Sequence, residues 1–234
     1  MSTTVAPALS FVECRRGFWR LLPLSLFVAA FGAAFGLAAV QTGLQPVEIV
    51  LMSATVFAGT AQFAALDLWG AQVPLVPLLV TTLAINARML LMGATLYPWL
   101  ALVPPRRRYA SLITLSDANW AMALNDLQSG RNTLGALVGG GLAIWLTWLA
   151  GTLAGMVFGG LIADPRAFGV DMVLGCFMLS MALAGRRTLR TVAAWIAGGL
   201  AAWAALHWLP ANTHVVAGGL AGGLVGALWL ERGQ

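Results

Sequence analysis

Long apolar runs alternate with short polar intervals along the whole chain. The apolar runs are residues 21–40, 47–68, 74–103, 133–162, 168–184, 189–209 and 215–230. A helix rises about 1.5 Å per residue, so about 20 apolar residues cross the roughly 30 Å hydrocarbon core of a bilayer. Because a lipid-exposed backbone must satisfy its own hydrogen bonds, these runs predict helices. We expect an all-α polytopic membrane protein, one transmembrane domain over residues 1–234, with about six full transmembrane helices plus a broken or re-entrant element.

The third run, residues 74–103, predicts where that broken element lies. As a straight helix it would be about 45 Å long, too long for one span, yet two spans need about 40 residues. Asn86 and Arg88 lie near its middle. An arginine at the centre of a transmembrane helix costs about 2.5 to 3.5 kcal/mol on insertion scales, so Arg88 should face protein or water. A re-entrant loop or two tilted half-spans would resolve both problems.

Composition and charge support the membrane assignment. Hydrophobic residues make up 60% of the chain and charged residues 9%, far from the roughly 25% charged residues of soluble domains. All 13 basic residues are arginines, and the net charge is +5. They lie at the ends of apolar runs, whereas a nucleic-acid-binding protein concentrates them on one soluble face. Charge therefore reports topology, and we expect the lipid bilayer, not nucleic acid, as the surrounding partner.

The arginines also predict orientation through the positive-inside rule. If residues 74–103 enter and return, nearly all arginines lie on the side of the amino terminus, leaving Arg166 outside. We therefore predict a multi-pass protein of the inner, cytoplasmic membrane with both termini cytoplasmic, a cytoplasmic segment 1–17 and a polar connecting segment 104–132. The first apolar run exceeds the 7 to 15 residue core of a signal peptide and is interpreted as an uncleaved span.

Glycines recur every fourth residue in three of the runs. They are Gly32 and Gly36, then Gly151, Gly155 and Gly159, and finally Gly218, Gly222 and Gly226. Small residues at this spacing let helix backbones approach closely in lipid. We interpret them as helix-packing positions, with a hinge or pore-lining role as the alternative.

Three polar clusters in the apolar sequence are candidates for a binding site. Arg88 offers a planar guanidinium that suits a substrate carboxylate, and Asn86 could donate or accept beside it. Gly59 could open a helix next to Thr60 and Gln62, whose side chains would line a substrate path. The alternatives are ordinary: Arg88 pairs with an internal acid or reaches an interface, and Gln62 makes an interhelical hydrogen bond.

The third cluster is Asp117 with Asn119 in the polar segment 104–132. An acid in the permeation path could bind a substrate ammonium group or relay a proton, and Asp117 is the acid we select. The alternative is a solvated carboxylate at a span end.

The sequence shows no recognisable set of catalytic residues. The chain has two histidines, no helical metal-binding pair, no Gly-x-Ser-x-Gly elbow and no phosphate-cradling glycine loop. Cys14 and Cys176 are isolated, without metal-ligand spacing. We therefore expect no catalytic residues, no metal and no cofactor, and we do not expect an enzyme.

Several short stretches, in order along nearly the whole chain, resemble the AzlC family, the large subunits of two-component branched-chain amino acid exporters. The stretches are Gly17 with Leu22 and Pro23, residues 57–63 (FAGTAQF), residues 86–88 (NAR), residues 115–117 (LSD) and residues 175–179 (GCFML). Two positions depart from the family pattern: Met89 stands where a histidine is usual, and Ala118 where a glutamate is usual. A proton relay through that histidine or glutamate does not carry over to this chain.

The resemblance implies export of leucine, isoleucine, valine and methionine, driven by the proton gradient or the membrane potential, together with a small AzlD-like hydrophobic membrane subunit. We predict a secondary active transporter with alternating access around Arg88. The alternative is a membrane scaffold or assembly subunit that does not transport, in which the polar residues would meet fixed partners.

Overall fold

The computed structural model describes residues 9–70, 73–131, 134–159, 179, 188–209 and 213–229. Along these residues the secondary structure is helical and contains no strand. The helices are α1 (Phe11–Gln41), α2 (Pro46–Thr55), α3 (Gly59–Asp67), α4 (Leu75–Leu100), α5 (Pro105–Leu112), α6 (Asp117–Gln128), α7 (Gly135–Gly159), α8 (Leu189–Trp208) and α9 (His214–Leu228). The predicted all-α polytopic class is confirmed.

Four of the described helices, α1, α4, α7 and α8, are long and apolar enough to cross a bilayer. Two shorter apolar helices accompany them, α2 and the greater part of α9. The predicted run 168–184 and the stretch 175–179 lie outside the described residues, apart from Leu179. The described residues therefore define a multi-pass membrane protein.

The predicted break within residues 74–103 is wrong. Residues 75–100 form one continuous helix of 26 residues, about 39 Å long, which a tilted span accommodates. Arg88 satisfies its charge through side-chain partners rather than through a gap in its own helix. The breaks occur instead in the neighbouring elements, at residues 56–58 between α2 and α3 and at residues 113–116 between α5 and α6.

At the first break the chain turns sharply. The amide of Gln62 on α3 donates from Nε2 to the carbonyl oxygen of Met52 on α2, at 2.9 Å. Ten residues of uninterrupted helix would separate these positions by about 15 Å, so α3 cannot continue in line with α2. The predicted opening at Gly59 is therefore present, because Gly59 is the first residue of α3.

The chain divides into two compact units, residues 1–62 with 87–170 and residues 63–86 with 171–234. In the first unit, α1 and α7 pack side by side and run parallel. A Cβ on Gly17 would meet Gly135 and Ala136, and one on Gly36 would meet Thr152 and Met156. The position along α7 thus advances with the position along α1, and both helices begin at the same end.

The interpretation of the glycines as helix-packing positions is confirmed at the interface between α1 and α7. Gly32 lies against Trp148 and Thr152, Gly151 against the carbonyl of Ala29, and Gly155 against the carbonyl of Ala33. A side chain at any of these positions would collide with backbone atoms. These positions therefore require small residues, as expected for closely packed helices in lipid.

The second half of α4 and the α5–α6 pair complete the first unit. Their apolar core contains Met92, Leu96, Trp99, Leu100, Val103, Leu115, Ala123, Leu134 and Leu137. Arg108 on α5 caps the end of α4 by donating to the carbonyls of Leu100, Ala101 and Val103, at 3.0 to 3.2 Å. Trp120 on α6 donates to the hydroxyl of Thr95 on α4, at 2.8 Å. Residues 104–131 are therefore packed against α4 and α7.

An ion-pair network holds the end of this unit at which α1 begins. Arg20 of α1 pairs with Asp126 of α6 at 2.6 Å, and Arg131 pairs with the same carboxylate at 3.3 Å. Since α1 and α7 run parallel, the chain between them must make an odd number of net crossings. One crossing by α4, with a sharp turn in each broken element, places Arg131 beside Arg20, as the charge pattern predicts.

In the second unit, α8 and α9 form an antiparallel pair. A Cβ on Gly218 would lie 2.9 Å from the carbonyl of Gly198, and a Cβ on Gly222 would lie 2.9 Å from that of Ala194. Arg190 near the start of α8 donates from Nε to the carbonyl of Gly226 near the end of α9, at 2.8 Å. This seam also uses glycines at fourth-residue spacing, as predicted.

Candidate functional site

Arg88, in the middle of α4, joins the two broken elements. Its Nη1 lies 3.0 Å from Oδ2 of Asp117, the first residue of α6. Its Nη2 donates to Oγ1 of Thr60, the second residue of α3, at 3.2 Å. One guanidinium therefore contacts the first turn of both half-helices, and three residues far apart in sequence form one polar site.

The amino terminus of α3 is shaped by Gly59. A Cβ there would lie 2.7 Å from Cη2 of Trp148 and 3.4 Å from the ring of Phe31. Trp148 packs against Phe31 and Phe35 with ring centroids 5.4 and 5.8 Å apart. Glycine is therefore required, because an aromatic cluster fills the space that a side chain would take.

The amino terminus of α6 is shaped by Asn119 and Ser116. The Oδ1 of Asn119 accepts from the backbone N–H of Ser116 at 2.7 Å, the reciprocal half of a capping box. The Nδ2 of Asn119 donates to the carbonyls of Thr114 and Leu137 at 2.7 and 2.9 Å. Asn119 is fully buried, and its amide fixes the break that presents Asp117.

The electrostatics of this site favour an added anion. The first turn of a helix carries the equivalent of about half a positive charge, and Arg88 lies beside two such turns. Asp117 balances one positive charge. The side chains of Arg88 and Asp117 are 32% and 30% exposed, so the pair is not sealed. Broken helices in transporters place such positive ends against anionic substrate groups.

Three buried polar atoms beside the site have no hydrogen-bond partner among the described residues. They are Nε of Arg88, Oε1 of Gln62 and Nε1 of Trp148. Gln62 is completely buried, and its Nε2 must be the atom that donates to Met52, because a carbonyl only accepts. A buried polar group without a partner costs about 1 to 3 kcal/mol. The region around α3 therefore offers two donors and one acceptor to a polar ligand.

The structure brings together some of the predicted site residues and separates another. Arg88, Thr60 and Asp117 are in direct contact, while Gly59 and Asn119 shape the two half-helix ends. Asn86 lies two positions before Arg88 on the same helix, and such residues do not share a helix face. It belongs to the second unit, where its Oδ1 is buried and has no partner among the described residues.

Two structural contributors were missed from the sequence. Trp148 has no distinguishing signal within the apolar run 133–162, although its ring covers Gly59. Asp126, whose side chain is 4% exposed, was not singled out. Its signal is periodic: Asn119, Ala123 and Asp126 are the buried residues of α6, and their spacing of four and three residues is that of one helix face. An acid on the apolar face of a helix indicates a paired carboxylate.

Fold and site together define a multi-pass α-helical membrane protein with two broken elements joined at a central arginine. The AzlC family model, described as AzlC protein, matches residues 23–162. This match covers more than half of the chain and includes both breaks and Arg88. The chain belongs to the AzlC family, as its sequence motifs predicted.

Two curated relatives agree with this assignment. A protein of Archaeoglobus fulgidus described as an uncharacterized membrane protein is 26% identical over 213 residues, which cover 90% of this chain and 93% of that protein. The inner membrane protein YgaZ of Escherichia coli strain K12 is 28% identical over 191 residues, 76% of this chain and 73% of that protein. No solved structure matches the chain.

Proposed function

We propose that this chain is a secondary active transporter that exports the branched-chain amino acids leucine, isoleucine and valine, together with methionine, and that Arg88 binds the substrate carboxylate. The observation that carries the proposal is the convergence of the first turns of α3 and α6 on one guanidinium in the middle of α4. Family membership adds the substrate class through the AzlC-like motifs.

The chemistry of the site suits a small amino acid. Its carboxylate needs a cation with free donors, which Arg88 has. Its aliphatic side chain needs apolar surroundings, and the buried rings of Phe31, Phe35 and Trp148 pack next to Gly59, the residue before Thr60. A guanidinium and an apolar cluster thus both border the first turn of α3, which suits a ligand with a charged head and an aliphatic tail.

The proposal includes a partner and an orientation. A small AzlD-like hydrophobic membrane subunit would complete the transporter, as the family resemblance implies. Arginines concentrate at the end where α1 begins, on Arg15, Arg16, Arg20, Arg131 and the run 106–108. By the positive-inside rule this end faces the cytoplasm of the inner membrane, and the amino terminus lies there. The carboxyl terminus, predicted to lie on the same side, falls outside the described residues.

Transport explains the described polar residues better than catalysis does. Arg88 and Asp117 form a charge pair of the kind that binds the carboxylate and the ammonium group of a substrate. A scaffold subunit is the competing function. It predicts that Arg88 has only fixed structural partners, whereas the buried Nε of Arg88, which has no partner among the described residues, favours a ligand.

The test is efflux of labelled leucine from cells or preloaded vesicles that contain this chain, with and without the small hydrophobic subunit. Saturable efflux that requires both proteins supports the exporter. Correctly inserted protein that moves none of the four amino acids, with the subunit present, would exclude this function and favour the scaffold.

A further inference from the structure

We propose that the Arg88–Asp117 ion pair is the amino-acid site in its empty form. An α-amino acid enters by inserting between the two side chains, with its carboxylate on Arg88 and its ammonium group on Asp117. This inference rests on the proposed function and adds two points to it: the residue that binds the ammonium group, and the exchange of an internal ion pair for a bound zwitterion.

Arg88 is only partly satisfied by its present partners. Asp117 is engaged through one oxygen, Oδ2, at 3.0 Å from Nη1, and Thr60 occupies Nη2. Nε is buried and has no partner among the described residues. A guanidinium binds a carboxylate most strongly through two parallel hydrogen bonds. A substrate carboxylate that engages Nε with a second nitrogen therefore gains a contact that Asp117 does not make in this arrangement.

Charge balance decides which ligands can enter. A zwitterion inserted into the pair gives Arg88 a carboxylate and Asp117 an ammonium group, so every charge keeps an opposite partner. A carboxylate without an amine would displace Asp117 and leave it unpaired, and an amine without a carboxylate would do the same to Arg88. An unpaired charge in a low-dielectric site is strongly unfavourable. The site should therefore select ligands that carry both groups.

The position of the pair in the fold permits this exchange. Arg88 lies on the continuous helix α4, whereas Asp117 follows the break at residues 113–116 and Thr60 follows the break at residues 56–58. Separation of the pair requires displacement of a half-helix end, not disruption of a full helix. The side chains of Arg88 and Asp117 are each about one-third exposed, so a ligand can reach both.

The experiment measures binding to the purified full chain, with its small subunit where the two copurify, by isothermal titration. The ligands are leucine, its 2-oxo acid 4-methyl-2-oxopentanoate, and its decarboxylated amine 3-methylbutylamine. In the wild-type protein we expect the 2-oxo acid and the amine to bind at least about 10-fold more weakly than leucine, the loss typical of one missing charged hydrogen bond.

The Asp117→Asn variant separates this inference from a general loss of affinity. Without the carboxylate, leucine should bind at least about 10-fold more weakly, while the 2-oxo acid should bind more tightly than it does to the wild type, because Arg88 no longer has an internal competitor. The ratio of leucine affinity to 2-oxo acid affinity should therefore fall by more than about 10-fold relative to the wild type. Asp117→Glu is the control, because it alters the side chain but keeps the negative charge. In this variant leucine should still bind more tightly than the 2-oxo acid.

Each outcome decides the matter. An unchanged ratio of leucine to 2-oxo acid affinity in a folded Asp117→Asn protein overturns this inference alone. If that variant does not fold, the wild-type series decides: a 2-oxo acid that binds as tightly as leucine overturns the inference. If the wild-type protein binds no amino acid, the proposed function is excluded together with this inference. Failure of the inference alone can therefore be distinguished from failure of the proposed function.

Discussion

The indole ring of Trp148 lies directly over Gly59, so that a Cβ at position 59 would come within 2.7 Å of ring carbon Cη2. Trp148 is itself held by Phe31 and Phe35. The break between α2 and α3 is therefore fixed by packing from α1 and α7. The same contact places the aromatic cluster beside the turn that carries Thr60 and Gln62.

Gly59→Ala should lower the thermal stability of the detergent-solubilised protein. The added methyl group must displace Trp148, and overpacking of this kind costs about 1 to 3 kcal/mol. Gly93→Ala is the matched control, since a Cβ at Gly93 meets nothing within 4 Å and alanine is a better helix residue than glycine. Equal unfolding temperatures for the two variants would show that the ring does not constrain the break.

Asp126→Asn should destabilise the first unit by about 1 to 3 kcal/mol, because it removes charged hydrogen bonds from a buried carboxylate. Arg20 and Arg131 would both lose their partner. Arg131→Gln is the comparison: its side chain is 52% exposed, and exposed ion pairs contribute about 0 to 1 kcal/mol. Thermal unfolding of both proteins checks the difference, and a larger loss from Arg131→Gln would refute this ranking.

Single cysteines should report the parallel arrangement of α1 and α7. In a background with Cys14→Ser and Cys176→Ser, a cysteine at Arg16 and one at Arg107 should react with an impermeant maleimide from the same side. A cysteine at Thr42, beyond the other end of α1, should react from the opposite side. All three positions are exposed. Labelling of positions 42 and 107 from one side would mean that α4 is not the net crossing between α1 and α7.

The helical class and the polar contacts of Arg88 could be predicted from the sequence because both follow from local properties. The length of an apolar run indicates a membrane-spanning helix, and an arginine within such a run needs polar partners. Gly59 could be recognised as a helix opening for the same reason. These signals come from a residue and its immediate neighbours.

The place of the second break and the partners of Arg88 could not be predicted. The 30-residue length of run 74–103 indicated a break, yet 26 of those residues form a continuous helix, since tilt absorbs the extra length. The partner of Arg88 is Asp117, 29 positions further on, brought close by the turn between α5 and α6. Such pairing depends on tertiary packing, which cannot be inferred from the length of an apolar run or from local polarity.

Counterflow of labelled leucine in vesicles that contain the chain and its small subunit tests the central claim most directly. The variants are Arg88→Lys and Arg88→Ala, with Arg107→Ala as an exposed arginine control. Lysine keeps the charge but loses the planar fork that binds a carboxylate through two hydrogen bonds. We predict that Arg88→Lys raises the leucine concentration needed for half-maximal counterflow at least about 10-fold, that Arg88→Ala abolishes counterflow, and that Arg107→Ala behaves as wild type. Normal counterflow by a well-inserted Arg88→Ala protein would contradict the account, because it would remove Arg88 from the substrate site.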